Sequence, residues 1–182
     1  MHDSPRPRFQ RVTLGHVDRL REIAGAEHVL ADREAMEIYS HDETEDLQFW
    51  PEVVVRPGDV QQVSAILKLC HAEWLPVTPR GAGTGLSGGA LPVHGGVVLS
   101  VARLDRILEI DEENLMATVE PGVITQVLQE TVEKRGLYYP PDPSSRGSCF
   151  IGGNVSHNAG GPRALKYGVT KDFVYGLEAV LP

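Results

Sequence analysis

No run of about 18 apolar residues occurs in this sequence, so no membrane-spanning helix is expected. Cysteine is scarce. Cys70 and Cys149 are the two thiols, far apart and without a C-x-x-C pair, which excludes a disulfide framework and a thiol metal knuckle and fits reduced, inert side chains. Basic residues are outnumbered, 17 against 25 acidic, and the net charge of -8 excludes a general nucleic-acid binder. An anionic ligand must therefore be held by local groups against the overall field. The seven histidines show no paired ligand spacing, so no metal site is expected. The start, MHDSPRPRFQR, is basic but lacks a following apolar segment; no secretory signal is expected and the cytoplasm is the default location.

Apolar content is sufficient, at 41%, for a packed core. Leu14, Val17, Leu20 and Ile23 to Ala24 have helical spacing, and a second short helix is expected from Asp32, as N-cap, to Tyr39. Strands are expected at Glu52 to Arg56, Leu75 to Thr78 and Gly95 to Val101. Between the first two, Asp59 opens a capping box with Gln62, and Val60, Val63, Ile66, Leu67 and Cys70 form a buried helix face. Ile107 to Ile110 and Met116 to Val119 flank the turn Asp111 to Asn114 as a hairpin. A helix from Ile124 to Lys134, with Val127, Leu128 and Val132 inward, closes at Gly136. From Tyr138 to Gly168 glycine, proline, serine and asparagine dominate, which reads as a long functional loop, and Phe173 to Leu181 resumes strand character. This order predicts an α+β architecture in two pieces, not a doubly wound sheet.

The segment Arg80-Gly81-Ala82-Gly83-Thr84-Gly85-Leu86-Ser87-Gly88-Gly89 carries the main chemical signal. Its glycines cost roughly 0.5–1 kcal/mol each in chain entropy against alanine, so a plain surface turn accounts for them poorly. Gly83 and Gly88 have phosphate-loop spacing, but Gly89 stands where lysine is required. Gly83, Gly85 and Gly88 also spell G-x-G-x-x-G. The dinucleotide fingerprint requires that such a loop open a helix, whereas Gly89, Pro92, Gly95 and Gly96 follow here, and Asp105 then sits at the ribose-binding distance by chance. What remains is a loop between two strands whose amides wrap a pyrophosphate, with hydroxyls from Thr84 and Ser87. Downstream, Gly152-Gly153-Asn154 and Asn158-Ala159-Gly160-Gly161 combine close backbone approach with amide donors and acceptors, the mixed lining that a flavin ring and ribityl chain need.

Pro79 to Gly89, Pro140-Pro141-Asp142-Pro143-Ser144-Ser145 and Ile151-Gly152-Gly153-Asn154 with Asn158 to Gly161 resemble the FAD-binding domain of the vanillyl-alcohol oxidase superfamily, the PCMH-type or FAD-linked oxidase domain. Within it they most resemble the FAD subunit of glycolate oxidase and the D-lactate and D-2-hydroxyglutarate dehydrogenases. Tyr39 to Thr44 and Glu52 to Pro57 match the family's opening, so the resemblance runs from about Tyr39 to Pro182. It implies two α+β subdomains with FAD in the cleft between them: 15–90 as the first, 91–182 as an incomplete second, and 1–14 as a tail. It assigns Arg80 and Gly81 to Gly89 to the pyrophosphate, and Pro121, Gly122 and Val123 to the adenosine half. Pro140, Asp142, Ser144, Ser145, Gly152, Gly153, Asn154 and Asn158 are assigned to the flavin, and Gly160, Gly161, Tyr167, Gly168 and Val169 to the pocket wall. Covalent relatives carry histidine in the glycine loop, and this loop has none, so FAD is expected to be non-covalent. His157 reads as a polar loop histidine, with a place near the ring as the alternative; Arg163 and Lys166 could help neutralise cofactor or substrate. Catalytic and metal residues are expected beyond Pro182, in a cap domain.

The implied reaction is oxidation of a D-2-hydroxy acid to the 2-oxo acid, with electrons passed on to a quinone, cytochrome or iron–sulfur partner subunit. A truncated, non-catalytic FAD-binding module is the alternative, and an alditol oxidase or a UDP-sugar reductase branch of the superfamily fits less well.

Overall fold

A computed structural model describes residues 9–181. Helix α1, Leu14–Ala24, begins at a reciprocal cap in which Thr13 Oγ1 accepts from the His16 N–H and His16 Nδ1 accepts from the Thr13 N–H. After it come β1 (Val29–Leu30) and α2 (Arg33–Met36), whose N-cap Asp32 accepts from the amides of Glu34 and Ala35 as expected. Strand β2 (Val53–Val55), helix α3 (Val60–Ala72), β3 (Val77–Arg80) and β4 (Val97–Ser100) complete the first layer.

Strands β1 to β4 form one sheet in the order β1-β2-β4-β3, with β2, β4 and β3 parallel and β1 antiparallel at one edge. Both faces are covered, which is why β2 and β4 read as unbroken valine-rich runs instead of alternating. Val53, Val55, Val97 and Leu99 face Leu20 of α1 and Ile66 and Cys70 of α3. Val54 and Val98 face Met36 and Tyr39 on the opposite side. The central position of β4 carries the sheet past the expected subdomain boundary at residue 90, because the parallel pairing of both β2 and β3 depends on it. Residues 9–13 of the expected tail also join the body: the Gln10 N–H donates to the Trp74 carbonyl and the Val12 N–H to Glu52 Oε2. Residues 1–8 of that tail lie outside the described residues.

The second unit is the hairpin β5 (Ile107–Asp111) and β6 (Met116–Val119) with helices α4 (Thr125–Glu133), α5 (Ile151–His157) and α6 (Ala164–Tyr167). Its core joins Val123, Leu128, Val132 and Ile151.

Several boundaries differ from the sequence reading. Strand β3 starts two residues later and runs through Pro79 to Arg80, because its register is set by pairing with Val97 to Ser100. On α3, Leu69 is buried beside Ile66 and Cys70. The Asp59 cap accepts from the Gln62 N–H, but the Gln62 side chain returns to the Gly58 amide, so the expected box is shifted by one residue. On α4, Val127 points outward, while Thr125 and Gln129 point inward to polar partners. The stretch expected to be continuous loop contains α5 and α6. Glycine pairs weaken a helix locally, but packing of Ile151 and Val155 into the second core overrides that weakness. Phe173 to Leu181, expected as a strand, begins at the end of the turn Thr170–Phe173 and then has no strand partner among the described residues; Tyr175 and Leu181 are 90% and 80% exposed.

Candidate functional site

The glycine loop leaves the end of β3 and returns to β4 with no helix springing from it. Its near end is fixed from below. Arg80 is buried, and its Nη1 and Nη2 donate to the carbonyls of His41 (2.7 Å) and Ile38 (2.8 Å). Burial lowers the affinity of this guanidinium for its proton, opposed by the nearby Asp42 carboxylate and then Tyr39. The side chain expected to touch pyrophosphate is thus engaged beneath the loop, and its charge lies directly under Gly83. Gly83 has φ 79°, and any Cβ there would collide with the Arg80 guanidinium, so only glycine suits both the turn and the contact.

The far end is held too: the Gly88 N–H donates to Thr44 Oγ1 at 2.8 Å. Between these anchors, the backbone N–H groups of residues 81 to 87, including Ala82, Thr84 and the exposed Leu86 and Ser87, find no acceptor among the described residues. Successive free amides in a bend could form a nest for an anion, where the turn brings them to one point.

Helix α5 faces this loop. A Cβ on Gly81 would stand 3.8 Å from the Phe150 ring and 3.9 Å from the Gly153 backbone, so the two glycine segments lie against each other. Gly85 and Gly153 both open onto space with nothing within 4 Å. At the other end of α5, His157 packs on Gly89. The histidine expected in a loop is the last residue of a helix.

Pro121, Gly122 and Val123 support α5 from behind. The Ile151 and Gly152 amides donate to the carbonyls of Val123 and Pro121, and Gly122 donates to Leu104. The Val123 side chain is 1% exposed within the second core and so meets no ligand, whereas Pro121 is half-buried.

Asn154, assigned to the flavin, is 4% exposed and turned inward, where its Nδ2 donates to Thr125 Oγ1 at 2.6 Å. Thr125 in turn contacts the Cys149 carbonyl and thiol. Asn158 has φ 52° and its Oδ1 accepts from the Lys171 N–H, so this side chain also has an internal partner. That left-handed residue turns the chain toward Gly160 and Gly161, where the Asp142 N–H donates to the Gly160 carbonyl and Gly161 abuts the Asp142 backbone. Val169 covers Gly160, and Gly168 closes on Asp172. Pro140 is buried, and Gln129 donates to the next carbonyl, that of Pro141. Ser144 is exposed and the Ser145 carbonyl caps the turn to Cys149. Arg146 and Arg163 both pair with the Asp142 carboxylate, at 3.2 Å each.

The structure thus brings Gly81 to Gly89 together with Gly152, Gly153 and the Pro121 turn, and gathers Asp142, Gly160, Gly161 and Val169 at the other end of α5. Sequence reasoning missed Thr44 and the carbonyls of Ile38 and His41 as parts of the site. The resemblance at Tyr39 to Thr44 was the available signal. No cluster of metal-ligating side chains occurs among the described residues, and no helix there is long and apolar enough to cross a membrane.

These residues could hold a dinucleotide: free amides suit a diphosphate, a buried cation lies beneath them, and Gly85 and Gly153 leave room beside the backbone. Comparison with known proteins agrees. Residues 51–182 match the family described as FAD binding domain. The chain is 48% identical over 170 residues to the glycolate oxidase subunit GlcD of Bacillus subtilis, covering 93% of this chain and 36% of that protein. It is 42% identical over 175 residues to the D-lactate dehydrogenase of Anaerostipes hadrus (96% and 36% covered) and 38% identical over 164 residues to the D-2-hydroxyglutarate dehydrogenase of Stutzerimonas stutzeri (90% and 35% covered). The chain therefore spans about a third of the length of these relatives. Among solved structures, an alkyldihydroxyacetonephosphate synthase superposes with a TM-score of 0.85 at 20% identity, over 94% of this chain and 34% of that one. A p-cresol methylhydroxylase superposes at 0.70 and 25% identity, over 81% and 30%. These establish the mixed α+β FAD-binding fold.

Proposed function

The chain belongs to the FAD-binding-domain family, and from that premise we propose that it is the non-covalent FAD-holding portion of an oxidoreductase that oxidises a D-2-hydroxy acid to the 2-oxo acid. One observation carries the cofactor part: the backbone N–H groups of residues 81 to 87 have no acceptor among the described residues, and the loop that carries them starts, at Gly81, against the glycine-rich first turn of α5. Charge-assisted hydrogen bonds from such amides contribute on the order of 1.5–3 kcal/mol each, enough in number to offset the net charge of -8. Arg80, held under Gly83, adds a positive field without touching the phosphates. The space at Gly85 and Gly153 would let a ring approach the backbone, with the glycine loop of the first sheet on one side and the first turn of α5 on the other.

The bound flavin would supply the redox chemistry, accepting the substrate's α-hydride. The substrate class comes from the names of the relatives, glycolate oxidase, D-lactate dehydrogenase and D-2-hydroxyglutarate dehydrogenase. Groups that bind the acid and take its hydroxyl proton are expected outside this chain, as is the electron acceptor, a quinone, cytochrome or iron–sulfur partner. Cytoplasmic placement belongs to the same proposal.

Two measurements test this. Titration with FAD should quench flavin fluorescence at one equivalent per chain; no saturable binding would remove the cofactor assignment. A protein carrying this chain within the full length of its relatives should lose its flavin absorbance when a D-2-hydroxy acid is added without oxygen. Binding without bleaching by glycolate, D-lactate or D-2-hydroxyglutarate would leave a non-catalytic FAD-binding module.

A further inference from the structure

One short segment, Ile38 to Thr44, fastens the glycine loop at both ends. At the β3 end it offers the Ile38 and His41 carbonyls to Arg80. At the β4 end it offers the Thr44 hydroxyl to the Gly88 N–H, at 2.8 Å across 44 residues of sequence. Thr44 is itself placed by Asp42, whose Oδ1 accepts from the Thr44 N–H at 2.9 Å. Asp42 is 8% exposed, and its other carboxylate oxygen has no partner among the described residues.

Thr44 therefore engages the Gly88 amide, the one amide between residues 81 and 90 that has an acceptor among the described residues. A loop pinned at both ends has less conformational freedom to lose when it closes on a ligand, and glycine-rich spans have the most to lose. We propose that Thr44 is a positioning residue for the dinucleotide cofactor: its hydroxyl holds the Gly88 end of the loop so that the amides of residues 81 to 87 converge on the diphosphate. This rests on the FAD reading above. Arg80 serves the opposite end, but its removal would strand two carbonyls and disturb folding, whereas Thr44 is half-buried and its hydroxyl can be deleted at nearly constant shape.

The test is FAD titration of the 182-residue chain as wild type, Thr44→Val and Thr44→Ser, followed by flavin fluorescence and absorbance. Valine keeps the shape and loses the acceptor; serine keeps the acceptor. Thr44→Val should bind FAD about fivefold to tenfold more weakly, the cost of one well-placed hydrogen bond, and Thr44→Ser should stay within about twofold of wild type. Rescue by serine separates positioning by the hydroxyl from a packing role of the methyl group, which both wild type and valine retain. Equal FAD affinity for wild type and Thr44→Val would overturn the role of Thr44 alone, as would a serine variant as weak as the valine one. A wild-type chain that binds no FAD would instead remove the cofactor reading itself.

Discussion

Gly152 lies so close to Pro121 that a Cβ placed on it would meet the proline Cβ at 2.6 Å and the proline carbonyl oxygen at 3.0 Å. Proline ring and backbone cannot rotate away, so the first turn of α5 is pressed against the turn that follows β6. Gly89 gives the opposite case. Its added Cβ would meet the His157 ring at 2.9 Å, but that ring is the end of an exposed side chain and can swing aside.

Two outcomes follow from this contrast. Gly152→Ala should destabilise the chain by about 1–3 kcal/mol despite the better helix propensity of alanine, because overpacking against rigid atoms dominates. Gly89→Ala should stay within about 0.5 kcal/mol of wild type. Urea midpoints measure both; equal midpoints for the two variants would contradict the assignment of rigid and yielding neighbours.

The same contrast shows why parts of the site were legible in the sequence. Elements whose signal is local came through: Asp32 and Asp59 as caps, the valine runs of β2 and β4, and the turn Asp111 to Asn114. The glycine loop was legible because its composition excludes a following helix. Helix α5 was not, since Ile-Gly-Gly-Asn-Val-Ser-His has little propensity of its own and is helical because Ile151, Asn154 and Val155 find partners distant in sequence. The inward turn of Asn154 was hidden for the same reason: its partner, Thr125, lies 29 residues earlier. Arg80 was assigned to phosphate by its place in the motif, whereas its carbonyl partners lie about 40 residues upstream.

Glu120 and Arg106 close the open end of the hairpin. The Glu120 carboxylate accepts from the Arg106 amide at 2.8 Å and from its guanidinium Nη2 at 2.6 Å. The Arg106 hydrogen bond holds the Glu120 carboxyl below its usual range, opposed in part by burial. A carboxylate with a depressed folded pKa contributes stability above its ordinary value of about 4.3, and loses it as pH falls through the folded value. Glu120→Gln should therefore melt below wild type at pH 7, with the gap closing below about pH 4. A gap of constant size down to pH 3 would show that charge plays no part.

Cys70 sits 1% exposed between α3 and the sheet, where burial pushes its thiol up to about 11. Cys149 is 3% exposed, with its sulfur 3.2 Å from Thr125 Oγ1. In the folded chain at pH 8, neither thiol should react with a disulfide reagent on a timescale of minutes, and both should react at once in denaturant. Rapid modification of one thiol before unfolding would mean that its layer opens locally.

Asn154 separates a structural from a cofactor role. Its amide donates to Thr125 Oγ1 inside the second unit, away from the space at Gly153, so truncation leaves a buried hydroxyl and a void instead of an empty ligand contact. Asn154→Ala should cost about 1–3 kcal/mol in urea unfolding. At temperatures where the variant remains folded, its FAD dissociation constant should stay within about twofold of wild type. Thr125→Val removes the same bond from the other side, and the double variant should cost less than the sum of the two singles, as expected for partners in one contact. A tenfold loss of FAD affinity with unchanged unfolding would return Asn154 to the flavin, and strictly additive costs would deny that the two side chains act through each other.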